Sequence, residues 1–557
     1  MLRLAAAVAA LLLLPAPAHA SATSSSSHEL RAVKPVMQCA DVTGIHLPGV
    51  TITSATTTSA GAPAPYCAVT GTIAPANTIV MRLPTQGWTQ RYLQTGCGGL
   101  CGSSNINYTQ AATCRPIVDG TIASATTDMG HQGQNDGSWA AGNPQAQIDF
   151  AYRGVHVTAV VAKEIIKRFY GRSAAYSYFD GCSDGGREAV MEAQRYPDDF
   201  DGIAAGAPAS NIVVQNTFHH AWNVLANKDS AGNYILLADK LPVIHAAVLA
   251  ACDGLDGVVD GVLDDPRNCR FDPYTLVCWS SASCLTRAQA TVVRKLHDGA
   301  TDAFGNRLEQ PISHEWGSEL DWTLFVPAAQ GQTTFSENIA LSFLRYLAYF
   351  NVAAPSYSLT DLKFTKASFW KTVQTSLYLS ATDPDLTRFQ RGGGKLILWH
   401  GWSDQHISPQ ATLNYYDAMK STMGSRAVDS FARLYLFPGM AHCGGGVGPS
   451  TFDVLTPVMN WVEHGVAPYR IIASKVDAGV VTRTRPVYPY PAVARYDGSG
   501  STDDAANFVA YTPRSSSSVG YQWLGAPLYT HGYQGVCRAV DGKLVCTPDR
   551  LIFSRRH

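Results

Sequence analysis

Residues 179–190 read FDGCSDGGREAV, and the fold turns on this stretch. Gly181-Cys182-Ser183-Asp184-Gly185 satisfies G-x-S-x-G. The pattern carries meaning only between a strand and a helix. Before it, "AAYSYFDG" (174–181) reads as a short strand. After it, "GGREAVMEAQRYP" (185–197) reads as a helix that stops at Pro197. A serine on such a sharp turn points its hydroxyl away from the sheet. Glycines on either side let backbone segments approach closely. The following helix offers unpaired N–H groups to a developing oxyanion.

The alternation continues outward. "VHVTAVVAKEIIKRFYG" (155–171) has helical apolar spacing and ends on glycine. "GGKLILWHG" (393–401) is an apolar run bounded by glycines, like a buried parallel strand. "ATLNYYDAMKSTMG" (411–424) predicts a helix, "FARLYLFPGM" (431–440) a strand and "TPVMNWVEHG" (456–465) a last helix. This order implies an α/β sheet with helices on its faces. Between about 207 and 390 the alternation lapses into a stretch rich in aromatics, with four cysteines and an acidic cluster. The expected organisation is a catalytic domain in two parts, 28–206 and 391–557, with an inserted lid domain at 207–390.

A serine nucleophile needs a base, and the base an orienter. In α/β-hydrolases the order is Ser, then Asp or Glu, then His. Asp404 follows the 393–401 strand in "HGWSDQHIS", and His442 follows the 431–440 strand in "FPGMAHCGGG". Both fall in loops at carboxyl ends of strands, where open α/β sheets place ligands. His442 is expected to take the Ser183 proton and Asp404 to hold its imidazole. Asp404 could instead cap the helix near Pro409, and His400 and His406 compete with His442 as base.

The chain has 13 cysteines, an odd number, so at least one is free or pairs with another chain. Cys182 precedes Ser183, and Cys443 follows His442. If serine and imidazole share a proton, their neighbours are forced close enough for a disulfide. Cys182–Cys443 is therefore expected as a tether between nucleophile turn and base loop. Short separations favour Cys252–Cys269, Cys278–Cys284 and Cys537–Cys546. The pairing of Cys39, Cys67, Cys97, Cys101 and Cys114 is open.

Cys182-Ser183, Asp404 and His442-Cys443 resemble the CS-D-HC arrangement of the tannase and feruloyl esterase family of α/β-hydrolases, which also contains mono(2-hydroxyethyl) terephthalate hydrolases. "RYLQTGCGGLCGS", "DGIAAGAPA" and "GGGKLILWHGWSD" are further family-like segments. The resemblance implies a secreted serine esterase with a lid, acting on a small aromatic ester. Feruloyl esterase is the first expectation, then tannase, then terephthalate monoester hydrolase. Trp316, Trp322 and Trp370 are the stacking candidates in the lid, with core packing the first expectation for any single one. The resemblance also implies an oxyanion hole made by the backbone N–H groups of Asp184 and Gly99. A peptidase on the same fold and a non-catalytic phenolic-binding protein are the competing classes.

"CDGLDGVVDGVLDD" (252–265) spaces aspartates between glycines. Alone it reads equally as a solvated acidic turn; its spacing is not that of an EF-hand. The resemblance adds a structural Ca²⁺ held by Asp253, Asp256 and Asp260 and the carbonyls of Val258 and Val262.

The chain opens MLRLAAAVAALLLLPAPAHA: one arginine, a short apolar run and a small-residue ending. That is a secretory signal over residues 1–20, so the mature protein is expected outside the cell or in the periplasm. No later window reads as a membrane span. Net charge is −1 with 15% charged residues, and no basic face points to nucleic acid.

Overall fold

The computed structural model describes residues 30–111, 113–279, 283–513 and 522–548. The expected signal segment lies outside the described residues. A nine-stranded sheet runs in the order β1-β2-β3-β5-β4-β6-β7-β8-β9. Its strands are β1 (Val50–Thr58), β2 (Tyr66–Ile73), β3 (Asn77–Pro84), β4 (Arg91–Thr95), β5 (Ala123–Thr127), β6 (Tyr176–Cys182), β7 (Gly202–Gly206), β8 (Lys395–Gly401) and β9 (Ala432–Phe437). The β1, β2, β3 and β5 edge is antiparallel. From β5 through β4, β6, β7 and β8 to β9 every pairing is parallel. Parallel strands buried on both faces need continuous small or apolar residues. β7 is GIAAG and fully buried. A side chain at Gly206 would meet the Trp399 ring at 2.0 Å, so this glycine makes room for the indole of the next strand.

Among the described residues, the longer helices are α1 (Gly154–Tyr170), α2 (Asp184–Arg195), α3 (Leu241–Cys252), α4 (Arg287–Asp298), α5 (Phe335–Tyr346), α6 (Pro409–Met423) and α7 (Leu455–His464). α1 ends on Gly171 at φ 69° and α7 on Gly465 at φ 69°, left-handed caps that glycine adopts without a Cβ clash. The sequence placed both.

The chain leaves the sheet after Gly206 and returns at Lys395, although β7 and β8 are hydrogen-bonded neighbours. The intervening segment carries α3, α4 and α5 and a core of its own, including Leu241, Ile244, Val248, Leu296, Trp316, Trp322 and Phe325. The described residues from Arg31 onward nonetheless form one compact unit. After α7 the described residues form three two-stranded ribbons. In the last, Cys537 and Cys546 stand directly opposite and are disulfide-bonded. No helix among the described residues is long and apolar enough to cross a membrane.

Candidate active site

Ser183 sits between β6 and α2 at φ 67°, ψ −122°. That is a strained conformation for a side-chain-bearing residue, of the kind concentrated at functional sites. Its backbone is pinned on both sides. Ser183 N–H donates to Gly206 O at 3.0 Å, and its carbonyl accepts from Arg187 and Ala209 N–H at 3.1 Å. The surrounding glycines are steric requirements. A Cβ at Gly181 would stand 2.5 Å from Gly185 O, and one at Gly186 would stand 2.2 Å from Gly206 O.

Asp404 and His442 meet in the loops after β8 and β9. His442 Nδ1 lies 2.7 Å from Asp404 Oδ2. Asp404 Oδ1 accepts the N–H groups of His406 and Ile407, each at 2.8 Å. The carboxylate is 1% exposed. Burial opposes its charge, but the imidazoles of His442 and His400 outweigh burial and hold it well below the ordinary carboxylate range. Asp404 does not cap the following helix; Ser408 does, accepting from Gln410 N–H. Of the competing histidines, His400 is fully buried in β8, and His406 sets its ring edge-on to His442 at 4.7 Å.

Cys182 and Cys443 are disulfide-bonded, with Cα atoms 5.9 Å apart across 261 positions. The bridge ties the residue before Ser183 to the residue after His442. Cys252–Cys269 and Cys278–Cys284 are also joined. The early group resolves into Cys39–Cys67 and Cys97–Cys101. Cys114 is the free, buried thiol, pushed up to about 12 by burial and so unreactive.

The Cys97–Cys101 bridge closes a tight loop around Gly98 and Gly99. This loop lies against the first turn of α2: a Cβ at Gly96 would fall 2.5 Å from Gly185 Cα. Cys97 N–H donates to Glu188 Oε1 at 3.2 Å. Leu100 N–H donates to Gln134 O at 2.6 Å. Gly99 has φ +66°, and among the described residues its N–H has no acceptor. Asp184 is the first residue of α2, so its N–H lies outside the helical ladder. Its carboxylate is held by the fully buried Arg187 at 2.6 Å. Arg187 also donates to the carbonyls of Phe150 and Ala151. The sequence named Gly99 and Asp184 but missed Glu188 and Arg187, whose i+4 and i+3 spacing from Asp184 on α2 was the available signal.

Two of the three tryptophans take the core-packing role expected first of any single one. Trp316 is buried and stacked on His297 at 3.9 Å, and Trp322 is completely buried. Both are core residues of the insertion, out of reach of a ligand; Trp370 is 41% exposed. His406 is the ring in contact with His442, and Phe335 and His220 pack in turn on His406. Phe335 meets His406 edge-on at 4.7 Å, and His220 lies 4.8 Å from His406. His220 and His406 are held neutral, first by burial and then by neighbouring imidazoles.

In the acidic loop, Asp253 accepts from Gly261 N–H, Asp256 from Val258 and Asp264 N–H, and Asp260 from Val262 N–H. Asp260 also pairs with Arg485 and Arg483. The carboxylate oxygens of Asp253, Asp256 and Asp260 do not gather within 4.8 Å of one another, because each is turned onto backbone amides. The donor chemistry still suits a hard cation. Asp264 is 7% exposed and its carboxyl has no partner among the described residues. Burial, with repulsion from Asp256, pushes it up to about 8; Asp256 is pushed up to about 6. This is buried negative charge that Arg485 compensates only in part.

A hydroxyl on a strained strand–helix turn, tethered to a loop whose imidazole is held by a buried carboxylate, defines a serine hydrolase of the α/β-hydrolase class. The family model "Tannase and feruloyl esterase" matches residues 66–511, and the chain belongs to that family of carboxylic ester hydrolases. It is 34% identical over 543 residues to an uncharacterized esterase of Xanthomonas campestris, covering 86% of this chain and 92% of that protein. It is 34% identical over 535 residues to the mono(2-hydroxyethyl) terephthalate hydrolase of Piscinibacter sakaiensis, covering 82% and 86%. The crystal structure of feruloyl esterase B from Aspergillus oryzae superposes with TM-score 0.75 at 29% identity, covering 84% of this chain and 98% of that one.

Proposed function

We propose that the protein is a secreted serine esterase of aromatic-acid esters, feruloyl esters first, with Ser183, His442 and Asp404 as its catalytic triad. The observation that carries the triad is the Cys182–Cys443 bridge beside the Asp404–His442 hydrogen bond. The half-buried Phe335, from the insertion, and His406 beside the base favour an aromatic acyl group and give the insertion its role as a lid.

Ser183 Oγ attacks the ester carbonyl while His442 Nε2 takes its proton. Asp404 keeps Nδ1 protonated and stabilises the imidazolium. The N–H groups of Asp184 and Gly99 receive the oxyanion. Collapse breaks the carbonyl–alkoxy bond, and the alcohol leaves with the proton from His442. Water then gives its proton to His442 and its oxygen to the acyl carbon, releasing the acid and restoring Ser183. Tannase-type and terephthalate monoester hydrolysis use the same steps. A rate panel of methyl ferulate, methyl gallate and mono(2-hydroxyethyl) terephthalate separates them, with methyl ferulate expected to be fastest. Turnover of no aromatic ester above the Ser183→Ala background would reject the reading.

The same reading includes a structural Ca²⁺ held by Asp253, Asp256, Asp260 and the carbonyls of Val258 and Val262. It would neutralise the loop and takes no part in the chemical steps. Folded Asp256 and Asp264 bind protons more tightly than the unfolded chain, whose carboxyls titrate near 4. Cation-free protein should therefore lose stability as pH rises from 4 through 6 to 8. Adding Ca²⁺ after chelation should raise Tm at pH 7.5 by about 2–4 °C and flatten that decline. A Tm indifferent to chelator and to Ca²⁺ would remove the ion from the account.

A further inference from the structure

Asp404 Oδ2 receives two imidazoles. His442 Nδ1 is 2.7 Å away, and His400 Nε2 is 3.0 Å away on the other side. His400 Nε2 also lies 3.0 Å from Ile407 O. Both neighbours of that nitrogen accept, so Nε2 carries a proton whatever the charge of the ring. His400 Nδ1 faces Thr412 Oγ1 of α6 at 2.8 Å. The ring is completely buried in β8, and its orientation is fixed at three points. The two backbone N–H groups on Oδ1 already orient the carboxylate.

We propose that His400 is a positioning residue for the His442 base: its Nε2–H shares Asp404 Oδ2 with the Nδ1–H of His442, and this sharing limits how strongly the carboxylate holds the protonated imidazole. The proposal rests on the triad reading above. A carboxylate oxygen serving two donors has less density for each. His442 therefore gives up its proton more readily to the leaving alcohol and stays a free base to lower pH.

Loss of the His400 donor leaves Oδ2 wholly to His442 and favours the imidazolium. The acid limb of the kcat/KM profile then moves to higher pH. The other titratable groups around the trio are His406, His219, His220 and His314, with Asp321 from the insertion. Burial holds His220, His314 and His406 neutral and pushes Asp321 up to about 6. These groups are common to wild type and variants, so the difference between profiles isolates His400.

The experiment is the pH dependence of kcat/KM on methyl ferulate for wild type, His400→Leu, His400→Gln and Thr412→Val. His400→Leu fills part of the space without a donor, and its acid limb should move up by about 0.5–1 unit. His400→Gln returns an N–H near the same point and should restore the wild-type limb. Thr412→Val removes the hydroxyl that polarises the ring and should shift the limb in the same direction by less. It also serves if His400→Leu does not fold. A purely structural role would lower kcat/KM at every pH and leave the limb in place. An unmoved limb in both His400→Leu and Thr412→Val, or a limb moved as far by His400→Gln as by His400→Leu, overturns the proposal. Ser183→Ala separates the two levels. Activity within tenfold of wild type in it sinks the triad reading, whereas a loss of about 10⁵-fold in it beside an unmoved limb sinks the His400 proposal alone.

Discussion

Ser183→Ala should lower kcat on methyl ferulate by about 10⁵-fold while leaving Tm within about 1 °C of wild type. Alanine keeps the positive-φ strain of position 183 and the three backbone hydrogen bonds that pin it. The substitution therefore removes one oxygen from the chemistry and almost nothing from the fold. The residual rate should come from the oxyanion donors, which are backbone groups and survive the change. His442→Ala should cost a similar factor, and the double variant scarcely more than either, because nucleophile and base act as a unit. A Ser183→Ala enzyme within tenfold of wild type would mean that another nucleophile does the work.

Cys182→Ala with Cys443→Ala is the second large effect. The bridge closes a loop of 261 positions, for which chain entropy assigns about 5–6 kcal/mol of stabilisation. For a chain of this size that corresponds to a fall in Tm of about 5 °C. The loss of activity should exceed what the lower stability explains. Without the bridge, the turn that carries Ser183 and the loop that carries His442 are joined only through the sheet. Small displacements between nucleophile and base are costly in rate. kcat should fall about tenfold to a hundredfold at a temperature where the variant is still folded, and near-UV circular dichroism would verify that state. Unchanged kcat and Tm in the double variant would make the bridge dispensable.

The elements that carry the proposed triad were legible because their signals are local. The turn at 181–186 needs glycine at 186 against Gly206 and at 181 against its own first helical turn, so the sequence displays them. The helix after it runs to Arg195, just before Pro197, which cannot continue it. Cys182 and Cys443 were readable as partners because each stands beside a member of the proposed triad.

Other features depended on which distant surfaces meet. A linear string does not rank Trp316, Trp322 and Trp370; the insertion fills its own core with the first two. His400 reads as a strand residue among apolar neighbours; only the return of the chain after β8 folds Asp404 back onto its ring. The choice among five early cysteines was not readable from spacing; the folded chain joins Cys39 to Cys67 and Cys97 to Cys101 and leaves Cys114 over.

By itself the sequence determined the strand–turn–helix unit, the order of serine, aspartate and histidine, and the tether, because backbone sterics and reaction chemistry both act over a few adjacent residues. The tertiary structure alone decided which aromatic rings stand beside the base and how many donors share Asp404, because those contacts join segments whose separation along the chain carries no local signature.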